Sequence, residues 1–394
     1  MKYLLISYYF PPDIGAGSFR SYTLLKSILK KANKEDKIFV ISATPNRYDV
    51  KPKGAYNKID DKRVTLYKIK VPNHKEKIFL KSLSGFIYFL HSFFLILKIK
   101  PDICISSTAR LISGLSAYLP KFILKYRYLI DLRDIFSDNV NEIFTNILFK
   151  NYLIFFIRKL EKKILEGACS VNLVSKGFQN FINKNKIKLK NVTYFSNGLD
   201  KLFLKNLNKS PKKLSEIKRV LYIGNIGDGQ GLHNILPNIA KIETKFNFLI
   251  IGDGGKKKIL INKINKFKLK NIKILKPMSQ NKLIYYYKQA DILFLHLNDH
   301  KALENVVPSK IFEYLSFNKL ILCGVSGYTK KFISKFDNVF FFNSCDHLSF
   351  SKTINKIKNK LPITLKNNKS KLIKYNRDKI MNDYSNFIIS LSSR

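Results

Sequence analysis

Short runs of β-branched and aromatic residues alternate with amphipathic stretches along the whole chain. In the first half the apolar runs are KYLLISY, KIFVIS, VTLYKI, DICISS, RYLIDL, CSVNLVS and VTYFSN, and helical periodicity falls near 17–31, 85–99, 109–124, 140–166 and 175–185. In the second half KRVLYIG, FNFLIIG, NIKILK, DILFLHL, KLILCG and NVFFFN repeat the alternation. Strands and helices in strict turn predict parallel sheets with crossover helices. The pattern therefore predicts an α/β protein with two doubly wound, Rossmann-like domains.

The boundary between the two domains is predicted near SNGLD, residues 196–200. An apolar strand stops there at Asn-Gly, and the lysine-rich KLFLKNLNKSPKKLSEIK follows. At 394 residues the chain is also too long for one ordinary core. We expect an N-terminal domain over 1–197 and a C-terminal domain over 198–376, with a final helix at about 377–394 packing back on the first domain.

The most apolar segment is LSGFIYFLHSFFLILKI, from Leu83 to Ile99. Its 17 residues, with His91 in the middle, are marginal for a membrane span, which needs about 20. Apolar residues surround the predicted helix on all sides, as in a helix that is deeply buried or dips into a membrane interface. We favour these two interpretations over a true span.

The charge balance is strongly positive, with 72 Lys and Arg against 27 Asp and Glu and a formal net charge of +45. A nucleic-acid binder, a protein on an anionic membrane surface and a background lysine enrichment are the three interpretations. Abundant Ile, Asn, Tyr and Phe without Trp favour the background, as in a compositionally biased genome. The lysines are spread over the whole length with no zinc-finger or RNP-like pattern, so no nucleic-acid partner is expected. Such a density of cations still attracts anionic head groups at roughly 1 kcal/mol per nearby side chain.

The cysteines and histidines give no metal-ligand spacing. The four cysteines stand far apart, and reduced thiols in a reducing compartment fit them best. The start MKYLLISYYFPP is interpreted as a first strand, because its apolar run is short and lacks a small-residue cleavage site. His91 and His296 lie in apolar runs and are expected to be structural. We therefore expect a cytoplasmic protein without a metal site.

Three glycine-containing turns follow strands directly: YYFPPDIGAGSFR, YIGNIGDGQGL and LIIGDGG. Glycine lets the backbone approach a ligand closely, so such turns make good phosphate cradles. None is a strict dinucleotide fingerprint or P-loop, and each alone is also compatible with a plain tight turn.

The stretch ENVVPSKIFEYL, residues 304–315, predicts a helix that begins with Pro308, Ser309 and Lys310. Lys310 and Glu313 share one face of it, because they are three residues apart. Proline suits a first turn, and the exposed amides and the lysine there favour an anion. The alternative is an ordinary capped helix with a surface ion pair.

Asp134 in YLIDLRDIF ends a predicted strand of the first domain. It is either an N-cap of the next helix or a partner for Arg133, or else a group that orients an acceptor or stabilises developing positive charge.

Taken in order, these motifs resemble the retaining glycosyltransferases of family 4 (group 1), which have the GT-B fold of two Rossmann-like domains facing across a cleft. FPPDIGAGSFR is similar to the family's N-terminal Pro-Pro and glycine-rich loop, and SNGLD to its Pro-Asn-Gly-Val-Asp linker. YIGNIGDGQGL, IIGDGG and IFEYL resemble its second-domain opening, its Gly-Asp-Gly strand end and its acidic helix. The chain looks most like the members that make bacterial surface polysaccharides.

The resemblance implies that the second domain holds a nucleotide sugar, with UDP as the expected nucleotide. Glu313 would bind the ribose hydroxyls, and the diphosphate would lie near Ser309 and Lys310. The glycine turns would contribute backbone contacts at Gly15, Gly17, Gly224 and Gly252. Enzymes of this kind need no divalent metal and no cofactor besides the nucleotide sugar.

Two departures from the family's pattern stand out. Its acidic pair is eight positions apart, but eight before Glu313 stands Asn305, with Glu304 adjacent. The Arg and Lys of its second glycine loop are replaced by Asn225 and Gln230, whose amides donate hydrogen bonds but carry no charge. The expected cations are therefore Lys310 and Arg20.

The resulting hypothesis is a metal-independent hexosyltransferase that acts on a lipid-linked saccharide acceptor at the cytoplasmic face of the inner membrane, as a monomer or a homodimer. Lys310, Asp134, Arg20 and either Glu304 or Asn305 are the candidate catalytic residues. A GT-B sugar-nucleotide epimerase is the alternative enzyme, and a catalytically inactive membrane- or polyanion-binding relative is the alternative outside enzymes.

Overall fold

The chain forms two compact units in a computed structural model: Met1–Asn197 with Arg377–Arg394, and Gly198–Asn376. The structure describes residues 1–13, 15–46, 59–73, 78–108, 110–143, 150–208 and 212–392.

The first unit is built on a seven-stranded sheet. Its strands are β1 (Lys2–Ser7), β2 (Lys37–Ala43), β3 (Val64–Ile69), β4 (Ile103–Thr108), β5 (Arg127–Leu132), β6 (Ser170–Leu173) and β7 (Val192–Thr193). All pairs are parallel, in the order β3-β2-β1-β4-β5-β6-β7. The order reverses between β1 and β4, which makes this the topological switch point of the sheet.

Helices cover both faces of this sheet. They are α1 (Ala16–Lys31), α2 (Ile78–Ile99), α3 (Leu111–Tyr118), α4 (Phe136–Ile143), α5 (Lys150–Gly167) and α6 (Phe178–Lys184), with a 3-10 turn at Pro120–Phe122. Right-handed crossovers place α2, α3 and α5 on the face opposite α1. Helix α3 lies between α2 and α5 and contacts both.

The second unit repeats the design with six parallel strands. The strands of this unit are β8 (Lys212–Leu214), β9 (Arg219–Asn225), β10 (Asn247–Asp253), β11 (Ile272–Leu275), β12 (Ile292–His296), β13 (Leu320–Gly324), β14 (Val339–Phe342) and β15 (Ile363–Leu365). The sheet order is β11-β10-β9-β12-β13-β14, with its switch point between β9 and β12, and β8 pairs with β15 in a separate antiparallel ribbon.

Helices also surround the second sheet. They are α7 (Lys201–Leu204), α8 (Leu232–Ile242), α9 (Lys257–Lys266), α10 (Gln280–Gln289), α11 (Lys310–Leu315), α12 (Gly327–Ile333), α13 (His347–Lys358) and α14 (Lys369–Leu372), with 3-10 turns at Lys205–Asn208, Lys301–Asn305 and Ile373–Tyr375. The last helix, α15 (Arg377–Ser392), returns to the first unit and packs against α1.

Both sheets are buried on two sides, which explains why their strands are continuous apolar runs. In β9, for example, Leu221 and Ile223 belong to one core, and Val220 and Tyr222 belong to the core on the opposite face. The two doubly wound parallel sheets confirm the predicted α/β class.

The predicted apolar helix is α2. Among the described residues, Phe79–Ile99 is long and apolar enough to cross a membrane, and 33% of its most apolar window is buried. One such helix is weak evidence of a span, because a core helix of a soluble protein meets the same criterion.

Candidate functional site

The switch point of the second sheet opens a crevice that α11 closes from one side. Strands β9 and β12 pair only at Val220–Ile292 and Leu221–Leu293 and then diverge. The Tyr314 hydroxyl fills the opening: it accepts the Ile223 N–H at 3.1 Å and donates to the Phe294 carbonyl at 3.3 Å. Burial raises the pKa of Tyr314, so the hydroxyl stays protonated. This tyrosine, which sequence reasoning missed, fixes α11 where ligands bind in doubly wound sheets.

Lys310 and Glu313 form an ion pair on α11. The Lys310 Nζ donates to Glu313 Oε2 at 2.8 Å, and the Tyr287 hydroxyl donates to the same oxygen at 2.8 Å. Burial, and then the Glu313 carboxylate, raise the pKa of Tyr287 well above its usual 10, so Tyr287 remains a donor. Glu313 is buried, whereas Lys310 is partly exposed. The arrangement presents an ammonium to solvent above a fixed carboxylate.

The start of α11 differs from the expected one. Its first residue is Lys310, Ser309 is the N-cap without a side-chain cap bond, and Pro308 precedes the helix rather than occupying its first turn. Only six residues are helical, so the helix dipole is short. Any attraction for an anion here depends mainly on the Lys310 charge.

The glycine loop after β9 is stabilised by a hydrogen bond between two of its side-chain amides and by a bond to His296. The Asn225 side-chain N–H donates to Gln230 Oε1 at 2.7 Å, so the two predicted ligands contact each other. His296 Nδ1 donates to the Gln230 carbonyl at 2.7 Å, and its Nε2 accepts the Cys345 N–H at 3.0 Å. Burial lowers the pKa of His296 to about 4. The imidazole is therefore neutral and structural, as its apolar context suggested.

Asp228, at the tip of this loop, lies close to basic side chains from other segments of the chain. His300 Nε2 lies 3.2 Å from its carboxylate and Lys256 Nζ lies 3.2 Å from it. Partial burial raises the pKa of Asp228, but hydrogen bonds from His300 and Lys256 outweigh that effect and hold the pKa below its usual value. Lys256, which follows β10, thus brings a cation to a loop whose own sequence lacks one. Sequence reasoning had no signal for this contact between separate segments.

Gly252 lies at the end of β10 against the end of β9. A Cβ at Gly252 would meet the Gly224 carbonyl oxygen at 1.9 Å, which no rotation of a side chain relieves. Both glycines were predicted as nucleotide-sugar contacts, and the structure shows that Gly252 is also required by strand packing.

Glu304 and Asn305 end the 3-10 turn that precedes α11. Gly327, at φ +55°, packs against the Glu304 backbone, and a Cβ there would lie 2.7 Å from the Glu304 carbonyl oxygen. The half-buried Glu304 carboxylate has no hydrogen bond or ion pair to any described residue, whereas Asn305 is engaged by a neighbour. Glu304 is therefore the more available of the two for a ligand.

In the first unit Arg20 is buried and makes four hydrogen bonds to other residues of that unit. Its Nε and Nη2 bond the two Asp131 carboxylate oxygens at 2.7 and 2.8 Å, and its remaining contacts are the carbonyls of Phe195 and Ser196. Asn172 completes the network by donating to Asp131 at 2.7 Å. In this arrangement Arg20 ties α1 to β5 and to the chain leaving β7, and its assignment to a diphosphate stays a prediction.

Gly15 precedes α1 and Gly17 lies in its first turn, so the helix begins earlier than the expected start near Ser18. Gly15 is the N-cap, and a Cβ there would have open space around it, whereas Gly17 lies under the guanidinium of Arg133. Burial lowers the pKa of Arg133, and the carboxylates of Asp134 and Asp131 oppose that effect. A cation thus stands beside the amides that open α1.

Asp134 lies just beyond β5 and lines a small cavity with Thr108, Phe136 and Glu161. The first amides of α4 are bonded by Glu161 of α5: its carboxylate accepts the Phe136 N–H at 2.9 Å and the Ser137 hydroxyl at 2.6 Å. Burial raises the pKa of Glu161. Glu161 thus supplies capping bonds that the sequence suggested for Asp134.

The candidate site residues are divided between the two units. Lys310, Glu313, Ser309, Glu304 and the glycine turns of β9 and β10 belong to the second unit, and Gly15, Gly17, Arg20 and Asp134 belong to the first. Among the described residues, no group of three or more His, Cys, Asp and Glu side chains is arranged to hold a metal ion.

Comparison with known proteins finds a family match that covers most of the second unit. Residues 205–379 match the family model "Glycosyl transferases group 1". The putative colanic acid biosynthesis glycosyl transferase WcaI of Escherichia coli (strain K12) is 24% identical over 179 residues, 43% of this chain and 44% of WcaI. The match thus spans less than half the length of that relative.

Solved structures resemble the whole chain. Sucrose-phosphate synthase from Thermosynechococcus elongatus has a TM-score of 0.74 at 13% identity, covering 100% of this chain and 99% of the other. Anabaena Alr3699/HepE in complex with UDP-glucose has a TM-score of 0.66 at 12% identity and 99% coverage of both chains. At these identities the likeness establishes the fold, which is that of GT-B glycosyltransferases. Residues 205–379 therefore match the group 1 glycosyl transferase family, within a chain of two Rossmann-like units whose fold is that of GT-B glycosyltransferases.

Proposed function

We propose that this protein is a retaining glycosyltransferase of family 4 type, which transfers a hexose from a nucleoside diphosphate sugar to a hydroxyl of a lipid-linked saccharide. The observation that carries the proposal is the Lys310–Glu313 pair on α11, at the switch point of a group 1 domain. A cation for phosphates and a carboxylate for vicinal hydroxyls stand one helical turn apart on the element that borders the crevice.

The donor is a UDP-sugar, bound by the second unit. Lys310 has three N–H donors and gives one to Glu313, so two remain for diphosphate oxygens. Glu313 uses Oε2 for Lys310 and Tyr287, which leaves Oε1 for a ribose hydroxyl. Lys256 adds positive charge beside the glycine loop. The structure of HepE with UDP-glucose supports the choice of nucleotide by analogy.

Transfer needs positioning and charge stabilisation more than acid–base groups. The acceptor hydroxyl attacks the sugar's anomeric carbon from the face that the diphosphate leaves, and the departing phosphate takes the proton. Lys310 stabilises the negative charge that develops on that phosphate. This interaction accelerates the reaction because it is stronger in the transition state than in the bound substrate. In this proposal Glu304 contacts the sugar, and Asp134 orients the acceptor or stabilises positive charge on the ring. No metal ion takes part in this scheme.

The acceptor belongs to bacterial surface polysaccharide synthesis, in O-antigen, capsule or exopolysaccharide. Its support is the relation to WcaI, whose name assigns it to colanic acid biosynthesis. A lipid-linked acceptor would place the enzyme on the cytoplasmic face of the inner membrane.

A screen of nucleotides tests the proposal directly. The purified protein is incubated with UDP, GDP, ADP and their common sugar derivatives, thermal midpoints are recorded, and release of the nucleoside diphosphate is followed for the derivatives that bind. We expect UDP and one UDP-hexose to raise the thermal midpoint. We also expect that UDP-hexose to be hydrolysed slowly, with release of UDP. Failure of all nucleotides to shift the midpoint would overturn the proposal.

A further inference from the structure

Helix α2 directs its large apolar side chains outward. Phe79, Phe86 and Phe94 are 77, 56 and 66% exposed, and Leu83 and Leu90 between them are exposed as well. These positions are spaced by three or four residues, so they form one continuous stripe along the helix. A stripe of this length on the surface marks an interaction site.

The inward side of the same helix is more polar than its outward side. Ser84, Tyr88 and Ser92 are fully buried, and the Tyr88 hydroxyl donates to the Ile41 carbonyl in β2 at 3.1 Å. Ile96 and Ile99, near the end of the helix, are buried as well, and Ile87, Leu95 and Leu97 are half-buried. A helix with serines inside and phenylalanines outside has the polarity expected next to an apolar medium.

The neighbouring elements on this face of the sheet continue the pattern. Phe122 and Ile123, at the 3-10 turn that contacts α2, are exposed, and so are Phe155 and Phe156 at the start of α5. Helix α3 lies between α2 and α5 and contacts both. We call the exposed sides of α2, of the turn at 122–123 and of α5 the docking face.

The charges around the docking face are positive. On α5 the stripe that begins with Tyr152 and Phe156 continues with exposed Lys159 and Lys163 at helical spacing. Helix α2 carries no acidic residue. Helix α5 has two acidic residues: Glu161 is buried, where it caps α4, and Glu166 pairs with Lys162 at 3.7 Å. Apolar side chains next to lysines match a bilayer surface that carries negative charge.

We propose that the docking face binds an anionic lipid bilayer, with α2 lying in the plane of the interface. The phenylalanines and leucines enter the boundary between head groups and acyl chains, and the α5 lysines pair with anionic head groups. Helix α2 does not span the bilayer, because its inner side is held on the sheet by the Tyr88–Ile41 bond and by contacts with α3. A surface of this size, combining apolar and basic groups, provides the two signals that stable peripheral binding needs.

The purpose of this binding rests on the proposed function, since a lipid-linked acceptor lies in the membrane, but the binding itself does not. Flotation with lipid vesicles at low and high salt measures the binding of the full chain to a bilayer. The vesicles are phosphatidylcholine, either alone or with about one lipid in three replaced by phosphatidylglycerol. The test variant is Phe79→Ser/Phe86→Ser/Phe94→Ser. The matched control is Ile242→Ser/Ile373→Ser, which changes exposed residues of the second unit (48 and 57%). A second variant, Lys159→Gln/Lys163→Gln, probes the charge.

We expect the parent and the control to float with anionic vesicles, and the triple serine variant to partition at least about tenfold less. The lysine variant should lose several-fold at low salt and approach the parent at high salt, where screening weakens the charge contribution. All variants should keep the parent's thermal midpoint and its shift with UDP, so loss of lipid binding and loss of donor binding remain distinguishable. A parent that does not float, or a triple variant that floats equally well, would overturn the proposal. A parent that is a dimer and ignores vesicles, with a monomeric triple variant, would assign the face to a second copy instead.

Discussion

At the residue scale, the Lys310–Glu313 pair combines the two explanations that the sequence left open. It is an ion pair on one helix face, although Glu313 is buried rather than at the surface, and it lies on the helix that borders the switch-point crevice. Its role in binding a nucleotide stays a prediction. The spacing of three residues was sufficient to predict the pair. Tyr287, which shares the Glu313 carboxylate, comes from α10 and had no local signal.

Arg20 illustrates what sequence spacing does not reveal. Its place in a first helical turn after a glycine motif indicated a ligand-facing cation, but Asp131, 111 residues away, bonds two of its nitrogens in the core. Burial and long-range pairing depend on the packed structure. Lys310 and Lys256 are therefore the cations on which the proposed donor site depends.

In the proposed function, either Glu304 or Asn305 takes the place of the first residue of the family's acidic pair. Because the Glu304 carboxylate is unpaired among the described residues, we expect Glu304→Gln to lower kcat by about one hundredfold with little change in KM for the donor. Asn305→Ala should lower it by less than about tenfold. Steady-state kinetics of the two variants measure this, and the opposite ranking would assign the role to Asn305.

His296 predicts a pH dependence of stability. Its imidazole stays neutral in the folded protein down to its pKa of about 4, whereas the unfolded chain takes up a proton below about pH 6.5. Stability is therefore intact above pH 6.5 and falls as the pH drops toward 4, by about 2 kcal/mol between pH 6.5 and 5. Chemical unfolding of the parent and of His296→Gln at both pH values gives this contribution by subtraction, which removes the effects of the other titratable groups that both proteins share. Equal pH dependence in both proteins would contradict it.

At the element scale, the strands of both sheets were predictable because each is a continuous apolar run. A strand buried on both faces has no polar alternation to obscure it. The antiparallel ribbon of β8 and β15 was missed, since each strand has only three residues and its partner is about 150 positions away. Helix α11 was predicted but is shorter than its pattern suggested, because Pro308 precedes it and Tyr314 fixes its other end in the crevice.

Gly252 gives a prediction for the packing of β9 on β10. Gly252→Ala should destabilise the second unit by about 3 kcal/mol, because its Cβ would lie 1.9 Å from a backbone oxygen. Gly229→Ala is the matched control in the glycine loop: its Cβ would lie 3.7 Å from the nearest atom, in Leu303, so stability should change by less than about 0.5 kcal/mol. Thermal midpoints of the two variants measure the difference, and similar midpoints would refute a packing role for Gly252.

At the scale of the whole molecule, composition left the positive charge with three explanations. The exposed apolar residues support the proposed binding to an anionic membrane surface, because α2, the turn at 122–123 and α5 share one face of the first sheet. Composition described how many lysines there are, and only the fold shows which of them stand beside the phenylalanines. The structure divides the chain between Asn197 and Gly198, and α15 joins the first unit through its contacts with α1.

Turnover of a UDP-hexose by the Lys310→Ala variant tests the proposed function most directly. We expect kcat to fall roughly a hundredfold to a thousandfold, corresponding to about 3 to 4 kcal/mol of lost diphosphate stabilisation. Lys258→Ala, at an exposed lysine of α9, is the control and should retain the parent's rate. Equal thermal midpoints would show that both variants are folded. A Lys310→Ala enzyme whose kcat remains within a few fold of the parent's would contradict the assignment of this lysine to the leaving group.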